Sequence, residues 1–211
     1  MGILDRYYER RTLNAMVQSQ WAEAERYLLK MMKRRPGVLG LNYNMGVVLL
    51  AQKKFDQAEA LLTQSIDRFG RSLRLCRLLA DIYYYWGKGS SAVSWYHKAL
   101  EEEPAEKEKK LIQLRLKLLK DEARYSHIAE NARLVEEARS LMKSDPAKAL
   151  ELYLEAAEYD PSDIESLNNI GSLYMNHMHQ SDKAAAFFRK VLDLVDNQAV
   201  AGNLLKAEKE I

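Results

Sequence analysis

The chain has one cysteine, Cys76, and only four prolines among its 211 residues. A single thiol cannot build an internal disulfide framework. Three of the prolines, Pro36, Pro104 and Pro161, fall at regularly placed segment ends. Val, Ile and Thr are sparse and no alternating apolar run occurs, so strands are not expected. No apolar stretch approaches the ~18 residues that span a bilayer. The start, MGILDRYYERR, lacks the apolar core of a secretory signal. Gly2 suggests myristoylation, but Arg6 stands where that motif needs serine or threonine. The expected compartment is the cytoplasm. With 47% hydrophobic and 29% charged residues, the composition is that of an ordinary globular protein.

What the chain does have is a period. Ala24, Ala58 and Ala92 are 34 residues apart, and their surroundings repeat with them. Twelve positions before each alanine stand Thr12, Gly46 and Ala80; four after stand Leu28, Leu62 and Tyr96; seven after stand Met31, Ser65 and Ala99. Pro36, Gly70 and Pro104 follow at twelve, where a second helix should stop. Two further copies centre on Ala149, with Tyr153, Ala156 and Pro161, and on Ala184, with Gly171, Tyr174, Phe188 and Val191. A fixed period of this length marks a tandem helix-turn-helix array. Small residues at facing slots let paired helices approach to about 8–10 Å. One pair cannot bury its apolar face alone, so neighbouring pairs must stack.

The pattern resembles the tetratricopeptide repeat, most closely in residues 41–66 and 75–104. The resemblance covers most of residues 5–198. It implies an all-α fold, a right-handed α-α superhelix of about five helix-turn-helix repeats. The expected organisation is three repeats in 5–106 (5–38, 39–72, 73–106), an inserted bracing helix in 107–129, two repeats in 130–198 (130–163, 164–198) and a capping helix in 199–211. Thr12 departs from the family's glycine or alanine, and the first helix of the fourth repeat fits least well. The stretch 107–125 carries Leu111, Ile112, Leu114, Leu116, Leu118 and Leu119 over a wide arc. It reads as a brace between repeats or as a self-association surface. Ser126 is expected to cap a following helix that runs to Met142, and Asp145 to cap the helix opened by Pro146.

In the resembled family one side of each first helix lines a concave groove. Here the matching positions supply Arg6, Glu9, Leu13, Met16 and Val17, then Gly40, Tyr43, Val47, Leu50 and Ala51. The next repeats supply Arg74, Arg77, Asp81, Tyr84 and Tyr85, then Glu165, Asn168, Ser172, Met175 and Asn176. Tyrosine and arginine are typical of recognition hot spots, and arginine grips a carboxylate with two parallel hydrogen bonds. The expected ligand is a protein or peptide with acidic and apolar side chains, held near Tyr43, Arg74, Arg77 and Tyr84. Packing of some of these tyrosines against neighbouring repeats is the competing reading. Family members that hold the C-terminal carboxylate of cytosolic chaperones use lysine, asparagine and arginine at set positions. Those positions hold Glu9, Leu13, Asn44, Arg74 and Leu78, of which only Asn44 matches, so that ligand is disfavoured.

No catalytic constellation is legible, and no cofactor or metal is implied. His177 and His179 sit two apart in a turn without a third ligand. Gly87-Lys88-Gly89-Ser90-Ser91 lacks the upstream glycine and the strand of a phosphate loop. Cys76 reads as a buried structural thiol. Charge is uneven: residues 1–129 hold 23 basic and 15 acidic side chains, and residues 130–211 hold 9 and 15. A dipolar chain can steer oppositely charged partners or associate with itself. The leading expectation is a protein-binding scaffold, the second a self-associating building block. RNA binding is a weaker third, because the pI of about 8.5 lies below the usual signature.

Overall fold

The computed structural model describes residues 2–211, apart from the side chain of Ala129. Among the described residues it contains thirteen helices and no strand. They are α1 (Ile3–Val17), α2 (Trp21–Arg34), α3 (Leu39–Ala51), α4 (Phe55–Phe69), α5 (Leu73–Tyr85), α6 (Gly89–Leu100), α7 (Glu106–Leu119), α8 (Glu122–Tyr125), α9 (Ile128–Leu141), α10 (Pro146–Tyr159), α11 (Ile164–Asn176), α12 (Ser181–Leu194) and α13 (Gln198–Lys209). The chain divides into two compact units, one ending at Glu103 and one running from Pro104 to Ile211.

The first unit is three helical hairpins, α1/α2, α3/α4 and α5/α6, with α2 packed on α3 and α4 on α5. The periodic alanines explain the close pairing. Ala24, Ala58 and Ala92 are each fully buried, as are Leu28, Leu62 and Tyr96 one turn on. A β-carbon placed on Gly46 would lie 2.9 Å from Leu62 and 3.1 Å from Leu78, so no side chain fits where α3 meets α4 and α5. A buried stripe repeats on the second and third first-helices, Leu41/Met45/Val48 and then Leu75/Leu79/Ile82. At the same register α1 carries Tyr7, Arg11 and Asn14, all exposed.

The hairpin turns share a backbone device. Ser19, Lys53 and Gly87, each five residues before its alanine, have φ of 55°, 57° and 79°. The following N–H then reaches back to Ala15, Leu49 or Tyr83 at 2.8–2.9 Å. His179, five before Ala184, has φ 51°. Gly87 is therefore a turn glycine, and the residues around it open α6 rather than cradle a phosphate.

A second device joins successive hairpins. Lys54 reaches Glu25 of the preceding hairpin at 2.7 Å, and Gln52 donates to the same carboxylate at 2.8 Å. Thirty-four residues on, Glu59 accepts from the Tyr83 hydroxyl at 2.5 Å and lies 4.0 Å from Lys88. Burial first, and then this bond, push the Tyr83 phenol up to about 12. In α6 the corresponding position is Val93, so the ladder stops before the boundary at Glu103.

The second unit holds α9/α10 and α11/α12, with α10 packed on α11 and α13 on α12. Ala149, Tyr153, Ala156, Ala184, Phe188 and Val191 are fully buried. Asp145 caps α10 by accepting from the Lys148 N–H at 3.0 Å. The stretch expected as one helix over 107–125 is broken. α7 ends at Leu119, and Asp121 caps the short α8 by accepting from the Arg124 N–H at 3.1 Å. Ser126 does not cap α9: its hydroxyl donates to the Ala123 carbonyl at 2.6 Å, and His127 occupies the cap position. The polar run Lys120-Asp121-Glu122 ends the apolar arc, and an aspartate caps better than it continues a helix. Arg124 then donates to the carbonyls of Glu158 and Tyr159 at the end of α10, which helix ends favour.

Candidate protein-binding surface

The residues singled out for recognition lie on α1, α3 and α5 of the first unit and on α11 of the second. Side chains spaced at three and four residues share one side of a helix. On α1 that side shows Arg6, Leu13 and Val17, with Leu13 52% and Val17 86% exposed. On α3 it shows Tyr43, Asn44, Val47 and Leu50, all half-buried. On α5 Arg74 is exposed, while Arg77, Asp81 and Tyr85 are half-buried. Arg6 and Arg74 form no ion pair among the described residues. The other cations named next are engaged: Arg11 with Glu23 at 2.7 Å, Arg34 with Asp5 at 2.9 Å, Arg71 with Glu101 at 3.0 Å.

Two of the expected contacts look inward. Tyr84 is fully buried, its ring 5.2 Å from that of Tyr85 and 6.4 Å from that of Tyr96. It belongs to the core of α5/α6 and offers no surface to a ligand. Its slot carries Met16 and Leu50 in the other repeats, both only half-buried. Asp81 accepts from the buried Tyr96 hydroxyl at 2.7 Å, so its carboxylate braces α5 against α6.

Asn168 and Asn176 lie in the second unit. Asn176 is exposed at the end of α11, and Asn168 is half-buried with its amide oxygen enclosed and without a hydrogen-bond partner. Next to it, Asn169 donates to the Tyr153 hydroxyl at 2.9 Å. Cys76 is fully buried, and burial pushes its thiol up, away from reactivity. No group of three or more histidine, cysteine or carboxylate side chains among the described residues could hold a metal. No helix among them is long and apolar enough to cross a membrane.

Residues 15–82, which run from α1 into α5, match the family model described as the tetratricopeptide repeat. Over that stretch the chain carries the tetratricopeptide-repeat pattern. The buried Ala24 and Ala58, Gly46 at the α3 junction and the left-handed turns at Ser19 and Lys53 fall inside the match. The TPR2AB domain of yeast Sti1, solved as a complex with pHSP90, superposes with a TM-score of 0.51 at 16% identity. That match covers 99% of this chain and 84% of the other. MamA from Desulfovibrio magneticus RS-1 gives 0.49 at 15% identity, over 92% and 96% of the two chains. At such identity the Sti1 likeness is one of fold. No curated protein matches the chain.

Proposed function

We propose that the first unit is a protein-binding scaffold whose exposed side of α1, α3 and α5 holds a peptide or partner helix rich in acidic and apolar side chains. The reading rests on one observation: Arg6 and Arg74 stand on that side without carboxylate partners, beside the exposed Leu13 and Val17 and the half-buried Tyr43 and Val47. An uncompensated guanidinium next to apolar surface is ready for a carboxylate from outside. Arg77 and Tyr85 flank the same strip, and Asn44 can add a hydrogen bond. In the second unit Asn168 and Asn176 offer a separate polar contact. The repeats run 5–38, 39–72, 73–106, 130–163 and 164–198, with 107–129 as brace and 199–211 as cap. The role is non-enzymatic and cytoplasmic, and it needs no cofactor.

Selection from a random peptide display library tests this. Peptides enriched on the full chain are expected to combine acidic with apolar residues. The double variant Arg6→Ala/Arg74→Ala is expected to bind them at least about tenfold more weakly, because each charge-assisted hydrogen bond contributes about 1.5–3 kcal/mol. Its melting temperature should be unchanged, since neither side chain is buried. Enrichment of basic or purely apolar peptides, or undiminished binding by the double variant, removes the reading. Sedimentation of the ligand-free chain across a salt series separates it from self-association, which predicts salt-sensitive growth in mass.

A further inference from the structure

The second unit encloses an open cavity of about 650 Å³ between α7, the end of α10, α11 and α12. Its floor is apolar: Leu114, Leu154, Leu167, Phe187 and Leu194. α7 buries Leu111, Ile112, Arg115 and Leu118 on one side and turns Gln113, Leu114 and Lys117 to the cavity. Lys107 pairs with Asp196 at 2.6 Å and Lys110 with Asp193. Leu111 is buried with Phe188 and Val191. Further along, Arg115, only 5% exposed, donates to the Ser162 hydroxyl at 3.1 Å. Between these anchors α7 faces Ala157 and Pro161 of the neighbouring helix end, and neither is long enough to close the gap.

The mouth is charged in a particular way. Lys110 is already neutralised by Asp193. Lys117 and Lys190 are exposed and have no carboxylate partner among the described residues. Lys190 is folded over the floor, its ammonium 4.4 Å from the centre of the Phe187 ring. Of the two acids lining the mouth, Asp193 is paired with Lys110 and Glu158 has no ion pair among the described residues. The mouth therefore has one positive charge in excess. An apolar floor with few polar groups, at a volume inside the usual ligand range of about 300–1,000 Å³, fits a small amphipath better than a folded partner. We propose that this cavity is a binding site for an aliphatic monocarboxylate. Its alkyl chain lies on Leu114, Leu154 and Phe187, and its carboxylate sits between Lys117 and Lys190. The single excess charge disfavours dicarboxylates and phosphate monoesters, and the site is separate from the peptide-binding side of the first unit.

Decanoate, kept below its micelle concentration, is the probe. Titration of the full chain, followed by leucine methyl NMR and by calorimetry, is expected to show single-site saturation with shifts at Leu114, Leu154 and Leu194. The double variant Lys117→Gln/Lys190→Gln should lose about tenfold in affinity for decanoate, the worth of one charge-assisted contact. It should bind decanol as the parent does, and the parent should prefer decanoate to decanol. Ala157→Leu, which extends into the cavity, should weaken both ligands. Lack of saturation overturns the proposal. So does equal affinity for decanol and decanoate in the parent, or a decanoate affinity untouched by the lysine changes. Methyl shifts confined to helices other than α7, α10, α11 and α12 also overturn it.

Discussion

Gly171 and Gly202 both stand in mid-helix and ask for opposite outcomes. Gly171 on α11 is buried, and a β-carbon there would lie 2.6 Å from the ring of Phe188, itself fully buried. Gly202 on α13 has nothing within 4 Å of the same point. Helix propensity alone favours alanine over glycine by about 1 kcal/mol at both sites. At Gly171 that gain is outweighed by displacement of a packed ring, an overpacking cost of about 1–3 kcal/mol. Chemical denaturation should therefore show Gly171→Ala less stable than the parent and Gly202→Ala more stable by about 0.5–1 kcal/mol. A stabilised Gly171→Ala would mean that the two helices are not held at the distance the small slot implies. Gly171 was legible in the sequence as a small residue upstream of Ala184, much as Gly46 and Ala80 stand upstream of Ala58 and Ala92. The turn residues were not. Gly87 is the residue type that favours a left-handed backbone, but Ser19, Lys53 and His179 adopt it too, and their letters do not mark it. Tyr84 was misleading for a related reason: a tyrosine on the exposed-side register is indistinguishable in sequence from one that turns inward to meet Tyr96.

At the scale of helices and hairpins, the Glu25–Lys54 and Glu59–Lys88 clasps repeat with the fold itself. Each ties the second helix of one hairpin to the turn of the next. The Lys54 hydrogen bond holds Glu25 below the usual carboxylate range, with Gln52 and the charge of Lys54 adding to it against partial burial. A carboxylate depressed on folding stabilises the fold above its unfolded value, and the contribution is lost as pH falls through the folded value. Glu25→Gln should therefore cost about 0.5–1 kcal/mol at neutral pH, as expected for a partly exposed pair. The gap between parent and variant should close as the solution is acidified through the carboxylate range. Thermal melts at several pH values check this, and a gap that persists in acid would point to packing rather than charge. The hairpins that these clasps join were legible from the 34-residue period. The break between α7 and α8 was not, because the leucines of α7 continue to Leu119 and the polar residues that stop it resemble an ordinary solvated face. The cavity of the second unit was out of reach as well, since its walls come from four helices, α7, α10, α11 and α12, whose lining residues run from Lys110 to Leu194.

For the molecule as a whole, the two units should answer pH differently. In the second unit the loop from α10 to α11 concentrates acid. Asp160 and Ser162 are fully buried, and Asp160 accepts from the Ser162 N–H and hydroxyl at 2.9 and 2.5 Å. Asp163 caps α11 by accepting from the Glu165 N–H at 3.1 Å, and the Ser166 hydroxyl donates to it at 2.6 Å. Loss of water, and then the charge of Asp160, push the Asp163 carboxyl up to about 6. An acid raised on folding binds its proton more tightly in the folded state. Its contribution is fully present below the unfolded value and is lost as pH rises through about 6. From about pH 5 to pH 7, then, the second unit should weaken while the first, whose Glu25 is ionised throughout, should hold steady. Hydrogen exchange resolved by helix, corrected for the intrinsic pH dependence of exchange, reads the two units separately. Faster opening of α10 to α12 at the higher pH, with α3 to α5 unchanged, is the expected result. Asp163→Asn keeps an oxygen for the Glu165 N–H and an amide for the Ser166 hydroxyl, and it carries no charge to desolvate. That variant should remove the pH dependence of the second unit without lowering its protection at pH 5. If the dependence survives the substitution, the titrating group lies elsewhere in the unit.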